Sequence, residues 1–350
     1  MTRPHLAGAV EDGWNRALGG ALRSRGWRHL VVPHTGYARA GADGFVRVLA
    51  RVVLGPDADP RLGAERDERR AYRRGWRNFL TAEAMDVEVV VEIGGATYST
   101  RTDRSGHVDL RLPVSGLEPG WIEATLTAPG SEPSVAPILS VDPAQTFGLV
   151  SDIDDTVLQT SLPRPLLAAY NTFVVQERSR RPVPGMASLY DAVLGRRPGA
   201  PTVYVSTGAW NTAPMLSRFL ARHGYPPGPL MLTDWGPTNT GWFRSGQEHK
   251  HACLESLVAD FPSIRWLLVG DDGQHDPEIY ADFAVKHPDR VRAIALRELS
   301  AAQQVLSHGT PTEKAESAGA HPPAGVPEVR GPNGDAIAAD LLPLVSGPPD

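Results

Sequence analysis

The chain has 350 residues, 41% of them hydrophobic, a formal charge of −5 and a single cysteine, Cys253. This length leaves room for about two domains. The acidic balance excludes a general nucleic-acid binder, which shows a basic excess, and one cysteine excludes an internal disulfide framework.

No run approaches the roughly 20 apolar residues of a membrane span, and the first residues lack the apolar core of a signal peptide. A cytoplasmic protein is expected, with peripheral contact at the inner face of the membrane left open. Abundant Ala, Gly, Pro and Arg beside only three lysines, Lys250, Lys286 and Lys314, point to a GC-rich, bacterial genome.

Residues 1–35 are expected to form an N-terminal segment with a short helix from Trp14 to Leu22, ended by Gly26. Residues 36–143 read as a β-sandwich-like domain. Apolar strands are predicted over 46–54, 87–93, 96–102, 108–112 and 121–127, and Val108, Leu110 and Leu112 alternate with Asp109 and Arg111 as in a half-buried strand. Turn signals every eight to twelve residues, such as Thr102 to Gly106, fit a sandwich. A helical insert is predicted over 63–80. Its Arg66, Arg69, Arg70, Arg73, Arg74 and Arg77 fall on one helix face. They form either a contact for an anionic membrane or a solvated face paired with Glu65, Asp67 and Glu68. Residues 129–143 read as an interdomain linker.

From Phe147 the pattern changes. Strands at 147–151, 202–206, 230–233, 264–269 and 291–296 alternate with helices at 183–194, 211–223, 250–261 and 277–287. Such alternation gives a doubly wound parallel sheet with helices on both faces, here a catalytic domain over 144–300. Residues 301–350 lack periodicity and are rich in Pro, Gly and Ala, so a disordered tail is expected. Within it Ile337 to Val345 is either a short docking segment or nothing.

Four motifs carry chemistry. The apolar run from Phe147 drives into Asp152-Ile153-Asp154-Asp155-Thr156, and side chains two apart share one face of a strand. Two carboxylates at the end of a buried strand can serve as nucleophile and as general acid/base, or merely end the strand and cap a helix. Ser206 ends the next strand, where its hydroxyl and the following N–H groups can hold phosphate oxygens. Lys250 opens a helix as a compact point charge. The strand from Ile264 ends in Gly270-Asp271-Asp272. Asp276 then caps the next helix ahead of Pro277, or reaches a metal. His249, His251 and His275 raise zinc, but a carboxylate-rich set without Cys favours Mg²⁺.

In this order the four motifs resemble the haloacid dehalogenase superfamily of aspartate-nucleophile phosphohydrolases over residues 147–298. The resemblance implies a Rossmann-like fold, Asp152 as nucleophile and Asp154 as acid/base. Ser206 would be the phosphate-binding hydroxyl and Lys250 the lysine beside the phosphoaspartate. Mg²⁺ would be held by Asp152, Asp154, Asp271 and Asp276. The surrounding residues Trp210-Asn211, His249-Lys250, Gly270 to Tyr280 and the upstream His34-Thr-Gly-Tyr37 are similar to the actin-patch-associated phosphatidate phosphatase family and its bacterial relatives. Thr207-Gly208-Ala209 departs from that pattern. The resemblance implies a phosphatidate phosphatase. The same chemistry on a soluble phosphomonoester or a phosphoprotein is the alternative, and a non-catalytic adaptor on anionic surfaces the second. The inserts 158–182 and 234–248 are too short for lid domains, so an open site is expected. Trp210, Trp235, Trp242 and Phe243 either rim its mouth or pack the loops.

Overall fold

The structure is a computed structural model. It describes residues 20–22, 24–56, 82–159, 180–233, 246–273, 275–300, 303 and 322–345. The expected helix at 14–22 falls mostly outside these residues. So do the Arg-rich insert, most of both loop inserts, and Trp235, Trp242 and Phe243. Among the described residues no helix is long and apolar enough to cross a membrane. The chain divides into two compact units, the second beginning at Pro143.

The first unit contains β1 (Trp27–Arg39), β2 (Phe45–Pro56), β3 (Ala82–Glu83), β4 (Glu88–Ile93), β5 (Ala96–Arg101), β6 (His107–Pro113), β7 (Gly120–Thr127) and β8 (Ser134–Val141). They are hydrogen-bonded into one sheet in the order β3-β2-β1-β8-β7-β4-β5, with β6 also on β2. Pairing is antiparallel except between β1 and β8. Alternate residues such as Val46, Val48, Ala50, Val89, Val91, Leu126 and Ile138 build one apolar core. Two expectations are corrected. Residues 27–35 belong to β1 rather than to a helical segment. The supposed linker contains β8, a strand flanked on both sides, because Ala136, Ile138 and Val141 are buried on it despite the nearby prolines.

The second unit is mixed α/β. Its parallel sheet comprises β9 (Phe147–Asp152), β12 (Thr202–Ala209), β13 (Leu230–Thr233), β14 (Arg265–Asp271), β15 (Val291–Arg297) and β16 (Glu328–Gly331). A small antiparallel pair, β10 (Leu158–Gln159) and β11 (Arg181–Pro182), lies apart from it. The helices are α1 (Met186–Leu194), α2 (Ala213–Arg222), α3 (Gly246–Asp260), α4 (Asp276–Lys286) and α5 (Gly334–Val345). The sheet order is β13-β12-β9-β14-β15-β16, and all these neighbours pair in parallel. Counted along the chain that is 3-2-1-4-5-6, the doubly wound order in which strand order reverses between the first and fourth strands. Here that switch point lies between β9 and β14. Every residue of β9 is buried, as expected of a parallel strand covered on both faces.

The expected disordered tail is corrected over residues 328–345. There β16 extends the sheet beside β15, and Ile337, Leu341 and Val345 of α5 enter the core with Leu149, Ile153 and Val157. Spaced by four, they form one helix face, and burying that face orders the segment.

Candidate active site

Asp152 is the last residue of β9 and Asp271 the last of β14, so the switch point places two carboxylates at the carboxyl ends of adjacent strands, where such sheets bind ligands. Asp276 opens α4. Its carboxylate approaches β14 closely because residue 270 is glycine: a Cβ there would lie 2.5 Å from Asp276 Oδ2. Among the described residues the one group of side chains spaced to hold a metal is Asp152, Asp271 and Asp276, with ligand atoms within 4.8 Å of one another.

Lys250 ties two of the three together. Its Nζ donates to Asp152 Oδ1 at 2.6 Å and to Asp276 Oδ1 at 2.5 Å. The helix α3 starts at Gly246, so Lys250 lies one turn inside it rather than opening it. Asp276 is likewise not a helix cap, since His275 occupies that position and makes no side-chain capping bond.

Burial dominates the electrostatics. Asp152, Lys250, Asp271 and Asp276 are each at most 5% exposed. Burial pushes the Asp152 carboxyl up to about 8; Lys250 opposes this, while the charges of Asp276 and Asp154 add to it. Burial, then Asp276 and Asp152, push Asp271 well above the carboxylate range. Burial disfavours the Lys250 ammonium, but Asp152 and Asp276 outweigh it and hold its proton on.

One oxygen of each carboxylate in the group, Asp152 Oδ2, Asp271 Oδ2 and Asp276 Oδ2, is buried with no hydrogen-bond partner. A buried unpaired carboxylate oxygen is costly, and three carboxylates that each carry one and bring ligand atoms within 4.8 Å of one another fit a small hard cation that takes oxygen ligands. The surrounding charges agree. The three carboxylates are within reach of one buried cation, Lys250, which bonds Asp152 and Asp276, so a divalent ion would offset the charge they carry once ionised. The carboxylate of Asp154 is not part of this group. No histidine joins it either; His249 Nε2 lies 3.2 Å from Met231 O and 3.6 Å from Cys253 Sγ.

Asp154 instead faces Ser206, whose Oγ donates to Asp154 Oδ2 at 3.0 Å and accepts the Gly208 N–H at 2.9 Å. The β12–β13 register shifts between Val205 and Ala209, so Ser206 lies where the strand leaves regular pairing. Asp154 is half-buried and can exchange protons with arriving groups. Trp210 packs partly buried against the apolar core.

The backbone around the aspartates is fixed by residues the motifs did not reveal. Tyr190 OH donates to Ser151 Oγ at 2.6 Å, and Ser151 Oγ donates to the Asp152 carbonyl at 2.6 Å. Asp155 has φ 57°, a left-handed conformation that Asp tolerates better than most residues. It turns the chain so that Asp155 N–H meets Leu158 O at 2.8 Å. Tyr225 OH donates to Val157 O at 3.0 Å. The polar Ser151 within an apolar strand was the one available signal.

Residues 147–298 match the family described as the catalytic domain of phosphatidate phosphatase APP1. The chain is 26% identical over 235 residues to phosphatidate phosphatase APP1 of Saccharomyces cerevisiae, covering 63% of this chain and 39% of that protein. It is 23% identical over 154 residues to an uncharacterized protein of Schizosaccharomyces pombe, covering 44% of this chain and 25% of that one. The chain thus spans well under half the length of both curated relatives. Among solved structures, the HAD domain of the effector protein Lem4 from Legionella pneumophila aligns with 44% of this chain and 87% of its own, at 16% identity and a TM-score of 0.30. A carbohydrate acetylesterase from Xanthomonas citri aligns at 10% identity and a TM-score of 0.26, over 77% of this chain and 70% of its own. Overlaps this slight carry no argument.

Proposed function

We propose that the protein is a Mg²⁺-dependent phosphomonoesterase that forms an aspartyl phosphate on Asp152. The observation that carries this reading is the buried group itself: Lys250 between Asp152 and Asp276, with three orphaned carboxylate oxygens beside it. The Asp152 carboxylate attacks phosphorus, an acyl phosphate forms and the ester P–O bond breaks. Asp154 protonates the departing alcohol, then takes a proton from the water that hydrolyses the acyl phosphate, which returns Asp152 and releases inorganic phosphate. Lys250 offsets charge on the nucleophile and on the transferred group. Ser206 would hold a phosphoryl oxygen once its hydroxyl leaves Asp154. Asp152, Asp271 and Asp276 would hold Mg²⁺, which supplies electrostatic stabilisation of the transferred group.

The proposed substrate is phosphatidate or a related lipid phosphate, on the strength of the family match and the named yeast relative. Peripheral contact of a cytoplasmic protein with anionic membrane through Arg66, Arg69, Arg70, Arg73, Arg74 and Arg77 belongs to the same proposal; those residues lie outside the described ones. Phosphate release from a panel of lipid and soluble phosphoesters, with Mg²⁺ and with chelator, tests the reading. Release from lipid phosphate that stops in chelator supports it. Release from soluble esters alone favours the soluble-substrate reading, and full activity in chelator overturns the metal assignment.

A further inference from the structure

Arg297 ends β15, opposite Asp271 in the parallel register, and is 3% exposed. Its guanidinium does not join the carboxylate group. Nη1 donates to the Asp155 carbonyl at 2.5 Å, in the left-handed turn just after the two aspartates, and Nε reaches Pro332 O at 3.4 Å. One buried side chain therefore spans from the catalytic turn to the β16–α5 connection.

That connection is seated closely. Gly334 N–H donates to Pro184 O at 2.9 Å, and a Cβ on Gly334 would lie 2.2 Å from the Gly185 backbone. Glu298 N–H donates to Gly331 O at 2.9 Å. Arg292 Nη2 donates to Leu344 O at 3.0 Å, and Arg197 bonds Val345 O. Ile153 and Val157 of the turn share one core with Ile337, Leu341 and Val345.

We propose that Arg297 is a positioning residue, which fixes the Asp154–Asp155 turn against the C-terminal segment. Residues 322–345, outside the matched span 147–298, are then part of the catalytic unit. An arginine suits this task because its planar fork donates in several directions at once, whereas a lysine offers a single point of charge. Displacing a reacting group by about 1 Å from a distance can cost about 100-fold in rate.

The kinetic half of this inference rests on the phosphatase reading, so its test has a second readout. In the full-length chain, Arg297→Met and Gly334→Ala are compared with the unchanged protein by steady-state phosphate release and by amide hydrogen exchange. The expected result for both is a kcat lower by about 10- to 100-fold, with KM within about threefold. The amides of Asp155, Val157 and Leu158 should exchange faster, while those of Val203 and Leu268 in the central strands should not. Arg297→Lys should recover only part of kcat. A folded Arg297→Met variant with unchanged kcat and unchanged exchange at the turn overturns the proposal. So does exchange accelerated equally in the central strands, or full recovery by Arg297→Lys. If the unchanged protein releases no phosphate from any ester, the phosphatase reading fails, and exchange at the turn still decides the role of Arg297.

Discussion

Replacing Asp152 by Asn separates the chemistry of the site from its stability. The amide is nearly isosteric and still accepts from Lys250, but it cannot attack phosphorus, so phosphate release should stop. Stability should move the other way. Burial raises the Asp152 carboxyl from 3.8 to about 8, so at pH 7 without metal the folded protein holds a proton that the unfolded chain releases. Holding it costs about 4 kcal/mol, from about 1.4 kcal/mol per pH unit over about three units. Asn is neutral and avoids that cost. The Asn amide brings one more N–H than the protonated carboxyl to a buried position where Oδ2 has no hydrogen-bond partner, taking back about 1–2 kcal/mol. The net gain is about 2–3 kcal/mol. For a catalytic unit of about 200 residues, that raises the melting temperature by about 4–12 °C at about 2–4 °C per kcal/mol. Thermal melts at pH 7 in chelator read it directly. Added Mg²⁺ should narrow the gap, because the ion stabilises the native carboxylates and binds the Asn variant less well. A lower melting temperature for the metal-free variant, or phosphate release by the folded variant, would refute the reasoning.

Asp154→Asn should lower kcat by about 10²- to 10⁴-fold through lost proton transfer, and Ser206→Ala by about 10²- to 10³-fold through one lost donor to the phosphoryl group; both are read by single-turnover phosphate release. The raised Asp152 carboxyl binds a proton in the native state between about pH 4 and pH 8, so metal-free stability should fall as pH rises through that window, by about 1.4 kcal/mol per unit at most. Mg²⁺ affinity should rise over the same window with release of protons from Asp152 and Asp271, measured by titration calorimetry in buffers of different ionisation enthalpy; affinity independent of pH would count against Asp152 as a ligand. Gly270→Ala would set a methyl 2.5 Å from Asp276 Oδ2, so it should weaken Mg²⁺ binding by about tenfold or more, on the scale of disturbing a ligand's supporting shell, while the circular dichroism spectrum stays unchanged.

The parts of the site legible in the sequence are those that local chain geometry creates. A strand buried on both faces must be apolar along its length, so the runs into Asp152 and Asp271 announce both the sheet and its carboxylates, and the strand–helix alternation announces the parallel order. Two elements were hidden by their surroundings. β8 lies among the prolines from 129 to 143, and α5 follows a Gly- and Pro-rich stretch, although the spacing of Ile337, Leu341 and Val345 was already helical. The pairing of Lys250 with Asp152 was implied by the family resemblance and by no local pattern. Their bond spans 98 positions, and only the fold brings the two together. Least legible of all were Tyr190, Tyr225 and Arg297. Tyr225 and Arg297 bond backbone carbonyls, and Tyr190 acts through a serine that does the same. A carbonyl is present at every residue, so nothing in the sequence marks which one is held. Arg297 reaches across 142 positions to the Asp155 carbonyl, and that oxygen is exposed to capture because Asp155 adopts a left-handed turn. The two facts depend on each other: the turn presents the carbonyl, and the guanidinium stabilises the turn. Such a pair is visible only when both halves are seen in place, and this is why a matched span that stops at residue 298 can leave out structure on which its own aspartates depend.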